Sequence, residues 1–395
     1  METPADIVQE RTAPDRRREA VGQLRIALFS ANFNIIPDGA SKALNRLAKF
    51  LVDQGATVRV YSPIRPHSPA NPGIELVSVP SIPIPFRSEY RLTLGLNRAL
   101  REDLKRFKPT HVHISVPDKM GNEAERYAHS LKVPVVASMH TRFETYLRFY
   151  GLGFLQPWFE RIQRRFYSHA DLVLAPNNEI ADELRAKGWA EQVAVWYRGV
   201  DQSLFNPKRR SRQWRRQHGF GDDDIVLLFF GRLVREKGLA EFAAVIEELR
   251  ARGNPVRALF VGEGPERDRM EQELPDAVFT GHLDGEDLAR AVASADILVN
   301  PSVTEAFGNV NLEAMASGLA VVSADVPSAQ ALITDRQSGL LVNPEEPKAY
   351  VEAVEGLIRK PRLRTAIAMA AVTASAAFDW NDLLGSVLDL YLTLA

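Results

Sequence analysis

Twice along this chain, short runs that are apolar at nearly every position and rich in β-branched residues alternate with longer segments of helical period. The first series is LRIALFS (24–30), TVRVYS (57–62), IELVSVP (74–80), HVHISVP (111–117), PVVASMH (134–140) and DLVLAP (171–176). The second is IVLLFFG (225–231), RALFVGEG (257–264), AVFTG (277–281), DILVNPS (296–302), LAVVSAD (319–325) and GLLVNP (339–344). Continuous apolar runs suit strands covered by helices on both faces, which is the condition of a parallel sheet. Between them, segments such as SKALNRLAKFLVDQG set Leu44, Leu47, Phe50 and Leu51 at helical spacing and stop at Gly55. The two series are separated by YRGVDQSLFNPKRRSRQWRRQHGFGDDD, a charge-dense stretch without a sustained period, where the hinge is placed. The pattern predicts an α/β protein of two Rossmann-like, doubly wound domains facing a cleft. Residues 1–20 are expected to form a disordered tail, 21–198 and 199–375 the two domains, and 376–395 a helix packing back on the first domain.

Bulk properties agree and exclude several classes. A chain of 395 residues with 45% hydrophobic content fills two sizeable cores. Its 49 Lys plus Arg nearly cancel its 50 Asp plus Glu, so no global field draws it to nucleic acid. The absence of cysteine removes disulfides, thiolate metal sites and thiol nucleophiles together. The first twenty residues are polar, and no run approaches the roughly 20 apolar residues of a spanning helix. The expected location is the cytoplasm, with peripheral contact at the cytoplasmic membrane face open.

Ligands of such sheets bind outside the carboxyl ends of the strands, so the loops there carry the chemistry. In PSVTEAFGNVNLEAMASG, a buried strand ends at Pro301 and a helix begins near Asn309. The amides of Phe307, Gly308 and Asn309 then leave a helix N-terminus and suit an anion. Glu305 and Glu313 flank that point, two acceptors able to grip hydroxyl groups on either side of a held anion, the layout of a nucleotide-diphosphate sugar. Read alone, Glu305 complements a helix dipole and Glu313 is a solvated helix residue. In FFGRLVREKGL, Arg232 and Lys237 can reach one phosphate group; alternatively Arg235, Glu236 and Lys237 pair locally. VGEGPER, with Gly262 and Gly264, and TGHLDGEDL could let a planar base approach backbone near His282 and Leu283; equally, their glycines serve turns.

Taken together, GRLVREKG, VGEGP, GHLDGEDLARAVASADILVNPS and EAFGNVNLEAMASGLAVV resemble, in order, the motifs of the retaining two-domain (GT-B) glycosyltransferases of family 4, the family that includes bacterial lipid α-mannosyltransferases and sulfoquinovosyl transferases. The resemblance covers most of the second domain, from about Ile225 to Pro344. It implies that Glu305 and Glu313 form an E-x7-E pair, the first holding the donor sugar and the second the ribose. It further implies that Phe307 and Gly308 offer amides, and that Arg232 and Lys237 neutralise the leaving diphosphate.

The first domain resembles the family less closely. PVVASMH places His140 where the family has a residue at the donor sugar; a lone histidine at a strand end is otherwise structural. NFNIIPDGASKALNRL resembles the loop facing diphosphate and acceptor, but has Asp38 and a single Gly39 in place of paired glycines. HISVPDKMGNEAE keeps a Pro-Asp at its strand end.

For the acceptor, LRFYGLGFLQPWFERIQRRFY (147–167) mixes aromatic residues with Arg148, Arg161, Arg164 and Arg165. Such a segment suits an anionic membrane surface; an interdomain core helix with a solvated charged edge fits as well. Likeness to lipid glycosyltransferases favours a membrane glycolipid acceptor, with a soluble glycan or small molecule as the alternative.

Double displacement needs a carboxylate nucleophile, and the first domain's strand ends offer no obvious one. The resemblance implies front-face substitution instead, with the departing diphosphate taking the acceptor's proton. The protein then positions groups and stabilises charge, two cations stand in for a divalent ion, and no metal is obligatory. GDP-mannose and UDP-hexoses or hexuronates are compatible donors. A nucleotide-sugar epimerase remains a rival, whereas a hydride-transferring enzyme would need a G-x-G-x-x-G that FSANFNIIPDGAS lacks.

Overall fold

The computed structural model describes residues 13–33, 39–63, 72–84, 87–140, 154, 156–305 and 307–394. In chain order the strands of the first half are β1 (Arg25–Phe29), β2 (Thr57–Ser62), β3 (Ile74–Ser78), β4 (Ser81–Ile84), β5 (Arg87–Thr93), β6 (His111–Ile114), β7 (Val135–Ser138), β8 (Leu172–Ala175) and β9 (Val193–Val195). Seven of them form a parallel sheet ordered β3-β2-β1-β6-β7-β8-β9. The strand order reverses between β1 and β6, which opens a crevice at their carboxyl ends. β6, β7 and β8 are buried at every position, as their unbroken apolar runs require.

The second sheet repeats the plan with β10 (Ile225–Phe230), β11 (Val256–Val261), β12 (Val278–Phe279), β13 (Ile297–Asn300), β14 (Ala320–Ala324) and β15 (Leu340–Val342), all parallel and ordered β12-β11-β10-β13-β14-β15. Here the reversal lies between β10 and β13. The loops that follow these two strands carry the Arg232/Lys237 and Glu305/Glu313 motifs, so the topology brings both motifs to one switch point.

Several features depart from the sequence reading. β4 and β5 form an antiparallel hairpin that the apolar runs did not reveal, because Ile82, Leu92 and Leu94 stay exposed and Pro83 interrupts the pattern. The expected tail is helical from Ala13 to Gln23, held by Val21 and Leu24 in the core and by an Arg17–Asp389 ion pair at 2.7 Å; residues 1–12 lie outside the described residues. The charge-dense stretch is mostly part of the second domain. Its Arg215 is buried and donates to the carbonyls of Ser294 (2.8 Å), Gly221 (2.9 Å) and Asp224 (2.7 Å) and to Asp296 (3.2 Å). These bonds give a lone charge in an unperiodic segment its place in a core.

The crossing between domains is short. Trp196 is buried with the first domain, Tyr197 packs on Phe307 and Phe378, and Val200 enters the second domain's core. The chain returns alongside: the Val200 amide donates to the Phe378 carbonyl at 2.9 Å, and the last helix, Trp380–Leu394, follows. Leu384, Val387, Leu388 and Tyr391 of that helix share a core with Ile26, Leu28, Leu44 and Val136 of the first domain.

Candidate active site

The loop after β13 is built from within. Asn300 Nδ2 donates to Asn311 Oδ1 at 2.8 Å, and Asn311 Nδ2 donates to Ser323 Oγ at 3.0 Å, so a buried polar ladder fixes helix Asn309–Ala316 to β13 and β14. Asn311 escaped the sequence reading; its one signal is an amide on the otherwise apolar buried side of that helix. Gly308, at φ 90°, turns the chain into the helix with no side-chain cap, leaving the first-turn amides directed out of the N-terminus. Phe307 points inward, buried against Tyr197 and Phe378, so only its backbone can face a ligand.

The loop after β10 meets this one. Lys237 Nζ donates to Glu305 Oε1 at 2.6 Å, with both side chains about one-fifth exposed, and Thr304 Oγ1 donates to the Glu236 carbonyl at 3.2 Å. Arg235 pairs with Glu266, from the loop after β11, at 2.8 Å. Arg232 is exposed on the same loop.

Gly262 and Gly264 serve packing first. A Cβ on Gly262 would lie 1.9 Å from the Gly231 carbonyl oxygen, and one on Gly264 2.2 Å from that of Leu233. Their amides and carbonyls stitch the loops together: Leu233 donates to Glu263 at 2.9 Å and Gly262 to Gly281 at 2.9 Å. The glycines thus let neighbouring strand ends close on each other, and this places exposed His282 and half-buried Leu283 beside them.

Across the cleft, helix Gly39–Asp53 approaches helix Asn309–Ala316 end to end: a Cβ on Gly39 would lie 2.6 Å from Asn309 Nδ2. Asp38 lies outside the described residues. Burial pushes the Glu313 carboxyl up to about 7, against the opposing pull of Lys42 and Arg46 from the first domain. Arg46 also pairs with Asp201 at 3.6 Å and lies over the Trp380 ring. Lys42 and Arg46 went unread in the sequence because only the tertiary approach of two helices gives them a partner. Asp118, from the Pro-Asp at the end of β6, caps helix Lys119–Ser130 through the Gly121 amide at 2.8 Å and accepts from Thr93 Oγ1 at 2.5 Å; burial raises its carboxyl.

His140 lies two residues beyond the end of β7 with both ring nitrogens engaged. Arg198 Nη2 lies 2.8 Å from Nδ1, and Ser138 Oγ lies 2.7 Å from Nε2. Ser138 in turn contacts His113 Nε2 at 2.9 Å, and His113 Nδ1 contacts the Tyr391 hydroxyl. The Trp196 ring meets His140 edge-on, with centroids 5.6 Å apart. Burial, then Arg198 and His113, hold the His140 ring well below the usual histidine range, so it is neutral. Sequence reading brought out His140 but not Arg198, a lone cation in the crossing segment.

In helix Gln156–Tyr167, Phe166 and Tyr167 are buried in the first domain's core while Trp158 is 58% exposed and Arg161, Arg164 and Arg165 face outward; Phe154 just before it is 76% exposed. The carboxyl end of the helix is thus anchored in the first domain's core. Residues 147–153 and 155 of the segment lie outside the described residues. Among the described residues, no helix is long and apolar enough to cross a membrane, and no group of three or more His, Cys, Asp or Glu is arranged to hold a metal ion.

Over most of its length the chain is similar to known proteins. Residues 224–360 match the model of the glycosyl transferases group 1, and residues 37–204 that of glycosyltransferase family 4. The sulfoquinovosyl transferase SQD2 of Arabidopsis thaliana is 34% identical over 318 residues, 78% of this chain, which spans 61% of that relative's length. A GDP-mannose-dependent alpha-mannosyltransferase of Mycobacterium tuberculosis is 31% identical over 328 residues, covering 81% of this chain and 84% of the relative. Among solved structures, a sucrose-phosphate synthase from Thermosynechococcus elongatus superimposes with a TM-score of 0.75 at 20% identity, over 94% of this chain and 99% of that one. The Anabaena HepE structure with UDP and glucose gives 0.71 at 22% identity, over 93% and 99%.

Proposed function

The chain belongs to glycosyltransferase family 4, and from that premise we propose that it moves a hexose-type sugar, with retention of configuration, from a nucleotide-diphosphate sugar to a glycolipid acceptor at a membrane surface. The observation that carries this reading is the contact between Lys237 and Glu305 at the switch point of the second sheet. It sets a cation for the diphosphate against the carboxylate for the sugar, at the mouth of an uncapped helix N-terminus. Glu313, about one turn along that helix, takes the ribose hydroxyls. Arg232, Lys237 and the amides of Phe307, Gly308 and Asn309 hold the diphosphate, and Gly262, Gly264, His282 and Leu283 border the base.

Each of these groups acts by position and charge. As the bond from the anomeric carbon to the diphosphate lengthens, negative charge grows on the departing oxygen; Arg232, Lys237 and the helix amides are placed to stabilise it. The same oxygen takes the proton of the acceptor hydroxyl attacking from its own side, which preserves configuration without an enzyme nucleophile. Asp118, half-buried and engaged as a helix cap, is poorly suited to be that nucleophile. His140, with its ring nitrogens bound to protein, serves the sugar by holding the end of β7 in place and offering its main-chain carbonyl. GDP-mannose and UDP-hexoses or hexuronates are the donors to test, and no divalent ion is required in this scheme. The exposed Trp158 and the arginines beside it meet the membrane, rings at headgroup level and guanidinium groups on phosphates, on the cytoplasmic face.

Incubation with GDP-mannose, UDP-glucose and UDP-glucuronate, with and without anionic lipid extract, tests the reading through release of free nucleoside diphosphate. Lipid-dependent release from one donor is expected. Release only with soluble glycans would replace the acceptor, and no release from any donor would overturn the proposal.

A further inference from the structure

The His140 contacts define a proton inventory. A guanidinium only donates, so His140 Nδ1 must accept from Arg198. The neutral ring then carries its proton on Nε2 and donates it to Ser138 Oγ. Ser138 keeps one proton, which goes to His113 Nε2. His113 is left with Nδ1–H, which donates to the Tyr391 hydroxyl. Every link has a single consistent direction, and the direction is set at one end by the one group unable to accept.

The clamp joins three parts of the fold. Ser138 ends β7 and His140 lies two residues beyond it, His113 stands on β6, and Tyr391 on the last helix, which reaches this core after the chain has traversed the second domain. Arg198 lies in the crossing segment, next to the Tyr197 that packs on Phe307 of the donor loop. Arg198 is 5% exposed; its guanidinium bonds to the Trp196 carbonyl at 2.6 Å, lies 4.3 Å from the Trp196 ring centroid, and has no carboxylate partner among the described residues. A buried cation is costly to retain without a carboxylate, and stability of the crossing alone would be served as well by an apolar side chain. What the guanidinium supplies that an apolar residue cannot is a pair of donors, one to the Trp196 carbonyl of its own crossing segment and one that reaches across to Nδ1.

We propose that Arg198 is a positioning residue for sugar transfer: by donating to Nδ1 it fixes one tautomer and one orientation of the His140 ring, and with Ser138, His113 and Tyr391 it holds the end of β7 against the donor sugar. The proposal rests on the reading of His140 given above. Among the described residues, the charged and titratable groups facing that ring are Arg198 from the crossing and, through Ser138, His113 and Tyr391. Without Arg198, Nδ1 becomes free to take a proton. Protonation of the ring is then easier than in the parent, although burial and His113 still oppose it, and once protonated the ring has no acceptor on that side.

The test compares Arg198→Met, Arg198→Lys, Ser138→Ala and His140→Ala in the full chain. Histidine-ring nitrogen NMR, with His140 assigned from the spectrum of its alanine variant, needs no donor. The parent should show the Nε2–H tautomer throughout pH 5.5–8.5, whereas Arg198→Met should show both neutral tautomers and protonate at higher pH than the parent. With GDP-mannose or UDP-glucose, whichever releases nucleotide, Arg198→Met should lose about 10- to 100-fold in kcat. Its donor KM should stay within about threefold, and an acid limb absent from the parent should appear. Arg198→Lys should restore part of kcat and remove the limb. A parent ring that titrates, or an Arg198→Met variant with parental kcat, overturns the proposal. So do equal losses in kcat, KM and melting temperature for the Met and Lys variants. If Arg198→Met does not fold, Ser138→Ala decides: lower kcat at unchanged KM supports the clamp, and parental kcat overturns it. Full transfer by His140→Ala removes the underlying reading of His140; a damaged His140→Ala beside a normal Arg198→Met removes only the present one.

Discussion

Lys237 Nζ and Glu305 Oε1 stand 2.6 Å apart, joining the loop after β10 to the loop after β13 across the point where the strand order of the second sheet reverses. Lys237→Ala is expected to lower turnover on the order of 100-fold, the scale for losing one donor from a developing charge. Glu305→Gln should depress turnover more than donor binding. Because the two touch, the double variant should fall short of the summed losses, with a coupling of about 0.5–3 kcal/mol. Additive losses, read from kcat/KM of the four proteins, would separate their roles.

Glu313 makes the nucleotide site sensitive to pH. Its folded-state carboxyl is raised to about 7, above the roughly 4.3 of an unperturbed glutamate. Its contribution to stability is therefore complete below about pH 4.3 and is lost as pH rises to about 7, because the folded state keeps the proton longer than the unfolded chain. Ribose hydroxyls donate best to the ionised form, so nucleotide affinity should rise through pH 7. Glu313→Gln should lose about 10-fold in affinity at pH 8. It should also gain melting temperature relative to the parent between pH 5 and 8. Calorimetric titration of GDP and UDP and melting curves at both pH values check this; equal affinities at pH 6 and 8 in the parent would detach Glu313 from the ribose.

Membrane contact should divide into a salt-sensitive and a salt-insensitive part. Arg161, Arg164 and Arg165 changed together to Gln should reduce flotation with anionic liposomes and transfer to embedded acceptor, leaving donor hydrolysis intact. Trp158→Ala should lower the part that salt does not remove. Both variants should keep the parental melting temperature, since these side chains face solvent while Phe166 and Tyr167 carry the packing. Parental protein that fails to float would return the acceptor to solution.

The last helix is a structural member of the first domain. Leu388→Ala should cost about 2–5 kcal/mol, the usual range for a fully buried leucine. Tyr391→Phe, which keeps the ring and removes only the hydroxyl bonded to His113, should cost about 1 kcal/mol and leave nucleotide binding unchanged. Denaturant melts of both proteins measure the difference; equal losses would mean that the hydroxyl, not the packing, anchors the helix.

What could be read from the sequence alone follows from local periodicity and from close sequence neighbours. Apolar runs on every position called for parallel strands covered on both faces, and glycines and cations at the strand ends marked the loops where Arg232, Lys237, Glu305 and Glu313 stand. Those residues were legible because each lies a few positions from a strand whose burial its own composition dictates. The β4/β5 hairpin was not, since a solvated pair of strands leaves no run of buried positions. Arg198, Asn311, Lys42 and Arg46 were not, because a charge or amide has no period: its meaning depends on which distant group meets it. Only the folded chain brings Arg198 to His140, Lys42 and Arg46 to the field of Glu313, and Tyr391 to His113, across 278 residues in the last case. Hydrophobic patterning acts within a strand or a helix and so is written locally, whereas a buried polar contact exists only when packing has removed water from both partners.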